Sequence, residues 1–509
     1  MPTQIGFNLI DALQRVLSIS PERPAFHCRG ETFTFSALGS RVGGLAASLT
    51  GLGVKRGDRM AVLSGNCHRF GELYWAAAAI GAAVVPLEAR LTTEEMRFIL
   101  GEAEPKALFA DTPERIALLS ELFPSASIMV SMSSGAAQGS LDYERLVVSG
   151  SGRLEPTGVD PDDPVAILYT AAVAGKPRGA VITHRNLVAQ AAQTAERTGI
   201  SNMDSHGVFL PLSHTFGAYL MFVASCNGAA NTLLGAFDAG AAAELIGDGL
   251  VTFYAEFAPM GERIILAAEE RGVPLGERLR FVTGLEMPSV IERYLSLGVK
   301  FWCMYGQTET AGLVAMGEAL PGSVEANFSG VALSLSAISL RDQDGRPVPD
   351  GQAGEAWVRG DFVVSRYWPD VPTRLNSGWL QTGDVLRAES GQRLYFVART
   401  GDKDLIKPGG LNVYPAEVEQ VLGRHSGVEA AFVFGAPDPI WRERVCAVVI
   451  PCDDAPQSLE SELRAMCEKA LASFKRPTGI EIAWDLRGSS EPLSRVELRE
   501  RYLAKLETS

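Results

Sequence analysis

The sequence lacks the residue spacings that usually mark a metal ion held by the protein itself. Its six histidines include no HExxH pattern, and none of its seven cysteines forms a CxxC pair. Because zinc sites draw on closely spaced His and Cys ligands, we expect no transition metal held by the protein. The cysteines are scattered and odd in number, which is typical of reduced thiols and indicates a cytoplasmic protein.

An excess of basic residues and a long apolar run are also missing. Lysine and arginine total 46 against 60 acidic residues, a net charge of −14, which disfavours a general nucleic-acid-binding surface. The most apolar run, WAAAAIGAAVVPL from Trp75, is too short to span a bilayer and predicts a buried helix that turns through Gly81 into a strand. No N-terminal segment has the composition of a signal peptide. We therefore expect no nucleic-acid partner and no membrane span.

The chain does contain a regular alternation of helical and strand patterns. Apolar strands are predicted at RMAVLSG from Arg59, AVVPL from Ala83, ALFAD from Ala107 and PVAILYT from Pro164. This alternation predicts an α/β fold with a largely parallel sheet. A chain of 509 residues is too long for one ordinary domain, so at least two are expected.

Two changes in composition divide the chain. Near residue 330 the pattern turns to β-rich segments with Asp-Gly and Pro turns, and near residue 400 a charged, glycine-rich segment precedes a small α+β pattern. We predict a large N-terminal domain over residues 1–399, with a β-rich subdomain at about 330–399, and a small mobile C-terminal domain over residues 400–509. The hinge is predicted at about 399–402. Such an arrangement suits an enzyme that closes on its substrate.

The segment YTAAVAGKPRGAV from Tyr169 has features of a phosphate-binding loop between a strand and a helix-like stretch. It is not a Walker A loop, because Thr170 and Pro177 stand where that pattern needs a glycine and a hydroxyl residue. A glycine-rich turn after a strand can still offer backbone N–H groups and a lysine to phosphates. An ordinary structural turn is the alternative. The candidate phosphate-binding residues are Thr170, Gly175, Lys176 and Gly179.

Two further segments each place a carboxylate among small residues. In YGQTETAG, predicted as a loop after the strand KFWCMY, Thr308 suits a phosphate and Glu309 suits Mg²⁺, which prefers oxygen ligands. A helix N-terminus capped by Thr308 or Glu309 is the alternative. In GWLQTGDVLR, Asp384 follows a glycine in a predicted turn and suits a ribose diol. An ordinary turn aspartate is the alternative there.

Several segments follow one another in a family-like order along nearly the whole chain. They are YTAAVAGKPRGAVITHRN, PLSHTFGA, YGQTET, GEAWVRG, WLQTGD, KDLIKPGGLNVYPAEVE and LASFKRP. In this order they resemble the adenylate-forming superfamily of acyl-CoA synthetases, adenylation domains and luciferases, and most of all its fatty- and aryl-acid CoA ligases. The resemblance implies that a carboxylic acid attacks the α-phosphate of ATP, with Mg²⁺ present, to give an acyl-adenylate and pyrophosphate. The small domain then rotates and the CoA thiol displaces AMP.

The resemblance also implies which residues bind the nucleotide. Tyr305 would stack on adenine, and Asp384 and Arg399 would hold the ribose. The full set of implied ATP-binding residues is Thr170, Gly175, Lys176, Gly179, Gly284, Leu285, Glu286, Tyr305, Gly306, Gln307, Thr308, Asp384 and Arg399.

Catalytic roles follow from the same resemblance. His214 would lie near the acyl carboxylate, Glu309 would hold Mg²⁺, and Lys407 would act in the thioester-forming pose. Gly401 would permit the backbone change at the hinge. The residues after His214 would line the acid pocket or belong to the core, namely Phe216, Gly217, Tyr219 and Leu220.

The chain departs from the family at two chemically important places. Ala171, Ala172, Val173 and Ala174 stand where the family's phosphate loop is rich in Ser and Thr. The family's C-terminal segment carries a lysine that bridges the carboxylate and the α-phosphate, whereas here no lysine occurs between Lys475 and Lys505. The matching position is Pro492, Leu493 or Arg495, and we take Arg495 as the candidate because it keeps a positive charge. Arginine and lysine differ in reach and hydration.

The main hypothesis from the sequence is an AMP-forming acyl-CoA ligase that uses a carboxylic acid, ATP, Mg²⁺ and CoA. The two departures support an alternative, a diverged family member with weak or no adenylation activity that binds a nucleotide or an acyl ligand. A third hypothesis is thioester formation from a supplied acyl-adenylate. A homodimer is the expected oligomeric state.

Overall fold

The structure, a computed structural model, describes residues 7–133, 135–150, 152–154, 158–170, 177–325, 327–373, 375–389, 392–400, 405–487 and 495–507. Several predicted features lie outside the described residues. They are residues 171–176 of the predicted phosphate loop, with Gly175 and Lys176, residues 401–402 of the predicted hinge, and residues 492–493 of the C-terminal segment.

The helices of the described residues fall into a long first series and a short second one. The bounds are α1 Leu9–Ile19, α2 Phe35–Gly51, α3 His68–Ile80, α4 Thr93–Ala103, α5 Pro113–Leu122, α6 Tyr143–Ser149, α7 His184–Thr198, α8 Thr215–Cys226, α9 Ala239–Gly247, α10 Met260–Arg271, α11 Leu275–Arg278, α12 Pro288–Ser296, α13 Pro415–Leu422, α14 Leu459–Ala470 and α15 Arg495–Glu507.

The strands alternate with these helices at first and then follow one another directly. The bounds are β1 Pro24–Cys28, β2 Glu31–Thr34, β3 Arg59–Leu63, β4 Ala83–Pro86, β5 Ala107–Ala110, β6 Ile128–Ser131, β7 Leu141–Asp142, β8 Pro164–Thr170, β9 Arg178–Thr183, β10 Ser205–Val208, β11 Ala230–Leu233, β12 Phe253–Phe257, β13 Phe281–Leu285, β14 Lys300–Gln307, β15 Gly312–Glu318, β16 Phe328–Ala332, β17 Ala337–Arg341, β18 Ala353–Arg359, β19 Arg366–Trp368, β20 Val371–Pro372, β21 Leu375–Asn376, β22 Trp379–Glu389, β23 Arg393–Arg399, β24 Val428–Asp438, β25 Arg442–Pro451 and β26 Gly479–Ile482.

Two large sheets and one small sheet organise these strands. The first runs β20-β19-β9-β8-β4-β3-β5-β6-β7, and the second runs β17-β18-β22-β23-β16-β15-β14-β13-β12-β10-β11-β1-β2, with β21 beside β22. In the second sheet the strands from β10 to β14 pair in parallel, whereas those from β14 to β23 pair antiparallel. The predicted α/β fold, with a parallel sheet and a β-rich subdomain, is confirmed.

Two buried helices, α3 and α8, hold the large sheets together. Trp75 of α3 lies edge-on to Phe222 of α8, with 4.9 Å between the ring centroids. Their continuous apolar core also contains Val62 of the first sheet and Phe253 of the second. Gly81 ends α3 in the left-handed conformation, with φ 78, and β4 begins two residues later, as the run from Trp75 predicts.

A small α+β unit follows the second large sheet. Strands β24, β25 and β26 form its sheet, and helices α13 and α14 pack on one face around Val433 and Val449. Helix α15 packs on the other side, where Leu498 and Tyr502 join Phe434. The fold class predicted for this part of the chain is confirmed. Over the described ranges, no helix combines the length and apolarity that crossing a membrane requires.

Candidate active site

A cavity of about 760 Å³ lies between the large sheets, the β-rich region and the small unit. Most of the residues predicted from the sequence to form a site line this cavity. They are Thr170, His214, Gly284, Leu285, Glu286, Tyr305, Gly306, Gln307, Thr308, Glu309, Asp384, Arg399 and Lys407.

The direction of three parallel strands explains why distant residues meet here. Strands β12, β13 and β14 are neighbours in parallel register and end at Phe257, Leu285 and Gln307. Because the carboxyl ends of parallel strands share one edge of a sheet, the residues at these ends face one crevice, the usual ligand site of such folds. The cavity occupies this crevice.

Asp384 is held by a neighbouring strand and by a tyrosine. It lies within β22 directly opposite Arg399 of β23, with the arginine Nε 3.4 Å from its Oδ1. The buried Tyr305 hydroxyl donates a hydrogen bond of 2.9 Å to its Oδ2. The prediction that Asp384 sits in a turn is therefore wrong, since Gly383 takes a positive φ of 70 inside a continuing strand. A fixed carboxylate on a cavity wall suits the hydroxyls of a ribose.

Glu309 lies in a short 3₁₀ turn, Thr308–Thr310, between β14 and β15. Strand β14 continues to Gln307, so the predicted loop is a tight antiparallel connection, and Gln307 is the cap instead of Thr308 or Glu309. Glu309 therefore lies in a connection after the strand, as predicted, but this connection is short because the pairing of β14 with β15 continues to Gln307. The alternative of a helix capped by Thr308 or Glu309 is wrong. The Tyr367 hydroxyl donates a hydrogen bond of 2.8 Å to Glu309 Oε1.

The donor set around Glu309 fits a magnesium ion that arrives with a nucleotide. Mg²⁺ is commonly bound by one or two carboxylates together with substrate phosphates and water, rather than by a full protein cage. Glu309 supplies one such carboxylate on the cavity wall. The Thr308 hydroxyl beside it lies 2.9 Å from the Thr215 hydroxyl, and both face the cavity.

His214 caps α8 and is held in one tautomer. The backbone N–H of Phe216 donates to its Nδ1 at 3.3 Å, so Nε2 carries the proton. Burial lowers the pKa of His214 to about 4, and the nearby Arg90 and Lys407 lower it further, against the effect of Glu88. His214 is therefore neutral at physiological pH and presents an N–H donor.

The wall beside His214 is apolar and aromatic. Phe216 and Phe257 meet edge to face, with ring centroids 5.5 Å apart, and both line the cavity with Met304. Four residues after His214 were predicted to line the acid pocket or to belong to the core. Of these four, only Phe216 lines the cavity. The other three are buried in α8, where the Tyr219 hydroxyl lies 2.7 Å from that of Thr194, so the core interpretation holds for Gly217, Tyr219 and Leu220.

Lys407 reaches the cavity from the small unit. Its backbone N–H donates to Glu443 Oε2 at 2.7 Å, which fixes the segment that carries it. Burial lowers the pKa of Lys407 to about 8, and Arg399 adds to this effect. Nearby carboxylates, with Asp384 first among them, act in the opposite direction. The lysine is thus a cation at neutral pH that loses its charge in a mildly alkaline solution.

The predicted phosphate loop is flanked by two strands instead of a strand and a helix. Strand β8 ends at Thr170, which pairs with Arg178 at the start of β9, and α7 begins only at His184. The β-branched run in GAVIT favours the strand. Gly179 lies in β9 and serves packing, because a Cβ there would approach the Ile167 side chain to 2.5 Å.

Arg495 is not among the residues that line the cavity. It opens α15, and its guanidinium contacts both carboxylate oxygens of Glu419 at 2.8 and 3.0 Å. Lys407 and Arg495 are predicted to act in different half-reactions. In this structure Lys407 lines the cavity and Arg495 does not.

Several cavity residues were missed from the sequence. Phe257 ends a buried strand, and the rule that ligands bind at the carboxyl ends of parallel strands would have identified it. The same rule could not identify four further cavity residues, which belong to the small unit, because only the packing of the two units brings them to the cavity. These are Asn412, Tyr414, Trp441 and Glu443.

Comparison with known proteins relates this geometry to a family. A model described as AMP-binding enzyme matches residues 13–368, and one described as AMP-binding enzyme C-terminal domain matches residues 417–487. A feruloyl-CoA synthase from an Amycolatopsis species is 31% identical over 499 residues, which cover 95% of this chain and 97% of that protein. A 2-succinylbenzoate–CoA ligase from a Geobacillus species is 29% identical over 489 residues, 95% of each chain.

A solved structure has the same fold. The o-succinylbenzoate CoA synthetase of Bacillus subtilis superimposes with a TM-score of 0.80 and 25% identity, covering 96% of this chain and 98% of that chain.

The Asp384 arrangement predicts how AMP binding responds to substitution. Asp384→Asn should weaken AMP binding about 10- to 100-fold, because a hydrogen bond to a charged group contributes about 1.5–3 kcal/mol. Tyr305→Phe keeps both the ring and the carboxylate, so its effect should be much smaller. Titration calorimetry with AMP measures both variants. An unchanged dissociation constant for Asp384→Asn would remove this carboxylate from the nucleotide site.

The pKa of Lys407 predicts a pH dependence of AMP binding. The side chain is charged below about pH 8 and neutral above it. AMP should therefore bind more weakly as the pH rises from about 7 to about 9.5, since the phosphate loses a cationic neighbour. Lys407→Met should flatten this dependence, whereas Lys407→Arg should retain tight binding at high pH because arginine stays protonated. Equal pH slopes in the wild type and Lys407→Met would contradict this assignment.

Proposed function

Because the chain belongs to the family of AMP-binding enzymes, we propose that it is an AMP-forming acid–CoA ligase. It would join a fatty or aromatic carboxylic acid to CoA while ATP is cleaved to AMP and pyrophosphate. The observation that carries this proposal is the meeting of Asp384, Glu309, His214 and Lys407 on one cavity that also has an apolar wall. Two curated relatives that align with 95% of this chain are named feruloyl-CoA synthase and 2-succinylbenzoate–CoA ligase.

The first half-reaction assigns work to three side chains. A carboxylate oxygen of the acid forms a bond to the α-phosphorus of ATP while the bond to pyrophosphate breaks. The Nε2–H of neutral His214 is the donor that orients the attacking carboxylate, and Asp384 fixes the ribose. Mg²⁺ bound near Glu309 would neutralise charge on the phosphates. The wall of Phe216 and Phe257 would take the apolar part of the acid.

The second half-reaction depends on the cation from the small unit. The CoA sulfur forms a bond to the acyl carbon, the bond from that carbon to the phosphate oxygen breaks, and the thiol proton passes to solvent. The leaving AMP gains charge as this bond breaks. The ammonium of Lys407, opposite Asp384 and Arg399 in the cavity, would stabilise that charge.

We propose further that adenylation is the slower half-reaction. The segment from Ala171 to Ala174 has no hydroxyl groups for phosphate, and no lysine lies between Lys475 and Lys505. Losing one preorganised donor typically lowers a rate about 10²- to 10³-fold. Lys407, by contrast, is in the cavity. A diverged binding protein without catalysis is not favoured, because a feruloyl-CoA synthase and a CoA ligase align with 95% of this chain.

A homodimer and a cytoplasmic location stay predictions.

The function is tested with a panel of fatty and aromatic acids incubated with ATP, Mg²⁺ and CoA. AMP formation and the mass of the thioester are recorded, and a parallel series omits CoA. We expect a thioester only in the complete mixture. If no acid yields a thioester while calorimetry still detects AMP binding, the chain is a nucleotide-binding protein and the ligase proposal is wrong.

The slow adenylation step is tested by measuring both half-reactions separately. Pyrophosphate release from acid and ATP should be slower than thioester formation from a supplied acyl-adenylate. Arg495→Ala should remove the residual adenylation and spare the second half-reaction, whereas Lys505→Ala at the exposed end of the same helix should affect neither. Unchanged pyrophosphate release in Arg495→Ala would exclude Arg495 as the bridging cation.

A further inference from the structure

A nearly buried lysine joins the small unit to the large one. Lys475, between α14 and β26, is 3% exposed. Its ammonium lies 2.7 Å from Glu417 Oε1, which belongs to the small unit, and 2.5 Å from Glu95 Oε1, which belongs to α4 of the large unit. One ammonium therefore binds a carboxylate from each side of the interface.

The Glu95 carboxylate has two tasks. Its Oε2 accepts a hydrogen bond from the Thr92 backbone N–H at 2.7 Å and completes the N-terminal capping box of α4. Its Oε1 is the oxygen that contacts Lys475. Because the cap holds the side chain in place, Glu95 loses little additional freedom when it pairs with the lysine.

A buried ammonium depends strongly on its partners. Burial by itself lowers the pKa of Lys475, but Glu417 and Glu95 more than offset this, so the pKa is raised. Removing one partner of a buried ion pair is far more costly than removing a partner at the surface, where solvent screens the charge. If the small unit rotates so that Lys475 separates from Glu95, the ammonium keeps only Glu417 of these two carboxylate partners.

The same interface continues toward His214. The Arg90 guanidinium of the large unit lies 5.4 Å from the ring centre of Phe474, the residue before Lys475. Arg90 also donates to Glu88 at 2.9 Å, and Glu88 accepts from the Ser213 hydroxyl at 3.1 Å. The contact surface around Lys475 is thus connected, by neighbouring side chains, to the residue that precedes His214.

We propose that the Lys475–Glu95 ion pair is a positioning contact that holds the small unit in the pose placing Lys407 in the cavity. The proposal deepens the proposed function and rests on it, because this is the pose assigned to thioester formation. The pair would raise the population of this pose relative to the one in which the C-terminal segment reaches the cavity. Weakening the pair should therefore slow the second half-reaction selectively.

Glu95→Gln tests the contact with little disturbance of the helix. Glutamine also completes a capping box, so the α4 N-terminus is kept while the charge is lost. We expect thioester formation from a supplied acyl-adenylate to fall at least tenfold, with pyrophosphate release in adenylation unchanged or faster. The control is Glu94→Gln, which removes the same charge from the preceding, exposed position and should change neither rate. Equal losses in both half-reactions, or no loss in either, would overturn the proposal.

A distance measurement decides the proposal independently of activity. Spin labels are attached at Ser296→Cys in the large unit and Glu468→Cys in the small unit, both exposed positions. Cys452→Ser serves as background because Cys452 is half-buried, whereas the other native cysteines are buried.

In the ligand-free protein, Glu95→Gln should reduce the population at the distance expected for this pose, and Glu94→Gln should not. Identical distributions in both variants would overturn the positioning role. A wild type that forms no thioester would instead refute the ligase proposal, and the distances would still report on the contact.

Discussion

The nucleotide side of the cavity depends on the Asp384 carboxylate, which accepts a hydrogen bond from the Tyr305 hydroxyl and lies opposite Arg399. Tyr305 belongs to β14, at the edge of the parallel strands, and Asp384 belongs to β22 of the β-rich region, so this bond joins the two sides of the nucleotide wall. Arg399 faces Asp384 across the strand pair and is also the last residue of β23. The carboxylate assigned to the ribose and the start of the connection to the small unit therefore share one cross-strand pair.

The charge in this cavity depends on which part of the small unit faces it. The large unit supplies a neutral His214, the carboxylates of Glu309 and Asp384, and the guanidinium of Arg399, which pairs with Asp384. The small unit places Lys407 in the cavity and pairs Arg495 with Glu419. If the small unit rotates as proposed, it would exchange one of these cations for the other without rearranging the parallel sheet.

Much of the fold and most of the site could be predicted from the sequence. Apolar runs such as those from Arg59 and Ala83 have the length and composition of buried parallel strands, and the structure confirms them. Several of the ordered motifs located cavity residues; YGQTET, for example, lies at the end of β14 and in the tight connection that follows it. Their order was more informative than the local pattern of any one of them.

The errors have a common physical cause. Asp384 after Gly383 has the local pattern of a turn, but the glycine takes its positive φ inside a strand held by neighbours on both sides. Trp441 and Lys475 could not be placed, because their surroundings arise only where the small unit packs against the large one.

The central claim is that an acyl-adenylate forms in this cavity and is then consumed by CoA. It is tested most directly with a carboxylic acid whose two carboxyl oxygens are oxygen-18. One labelled oxygen should attack the α-phosphorus and leave with AMP, while the other stays in the thioester. We therefore expect one oxygen-18 in the AMP, detected by mass spectrometry, and one in the acyl-CoA product. Unlabelled AMP accompanying a thioester would contradict it.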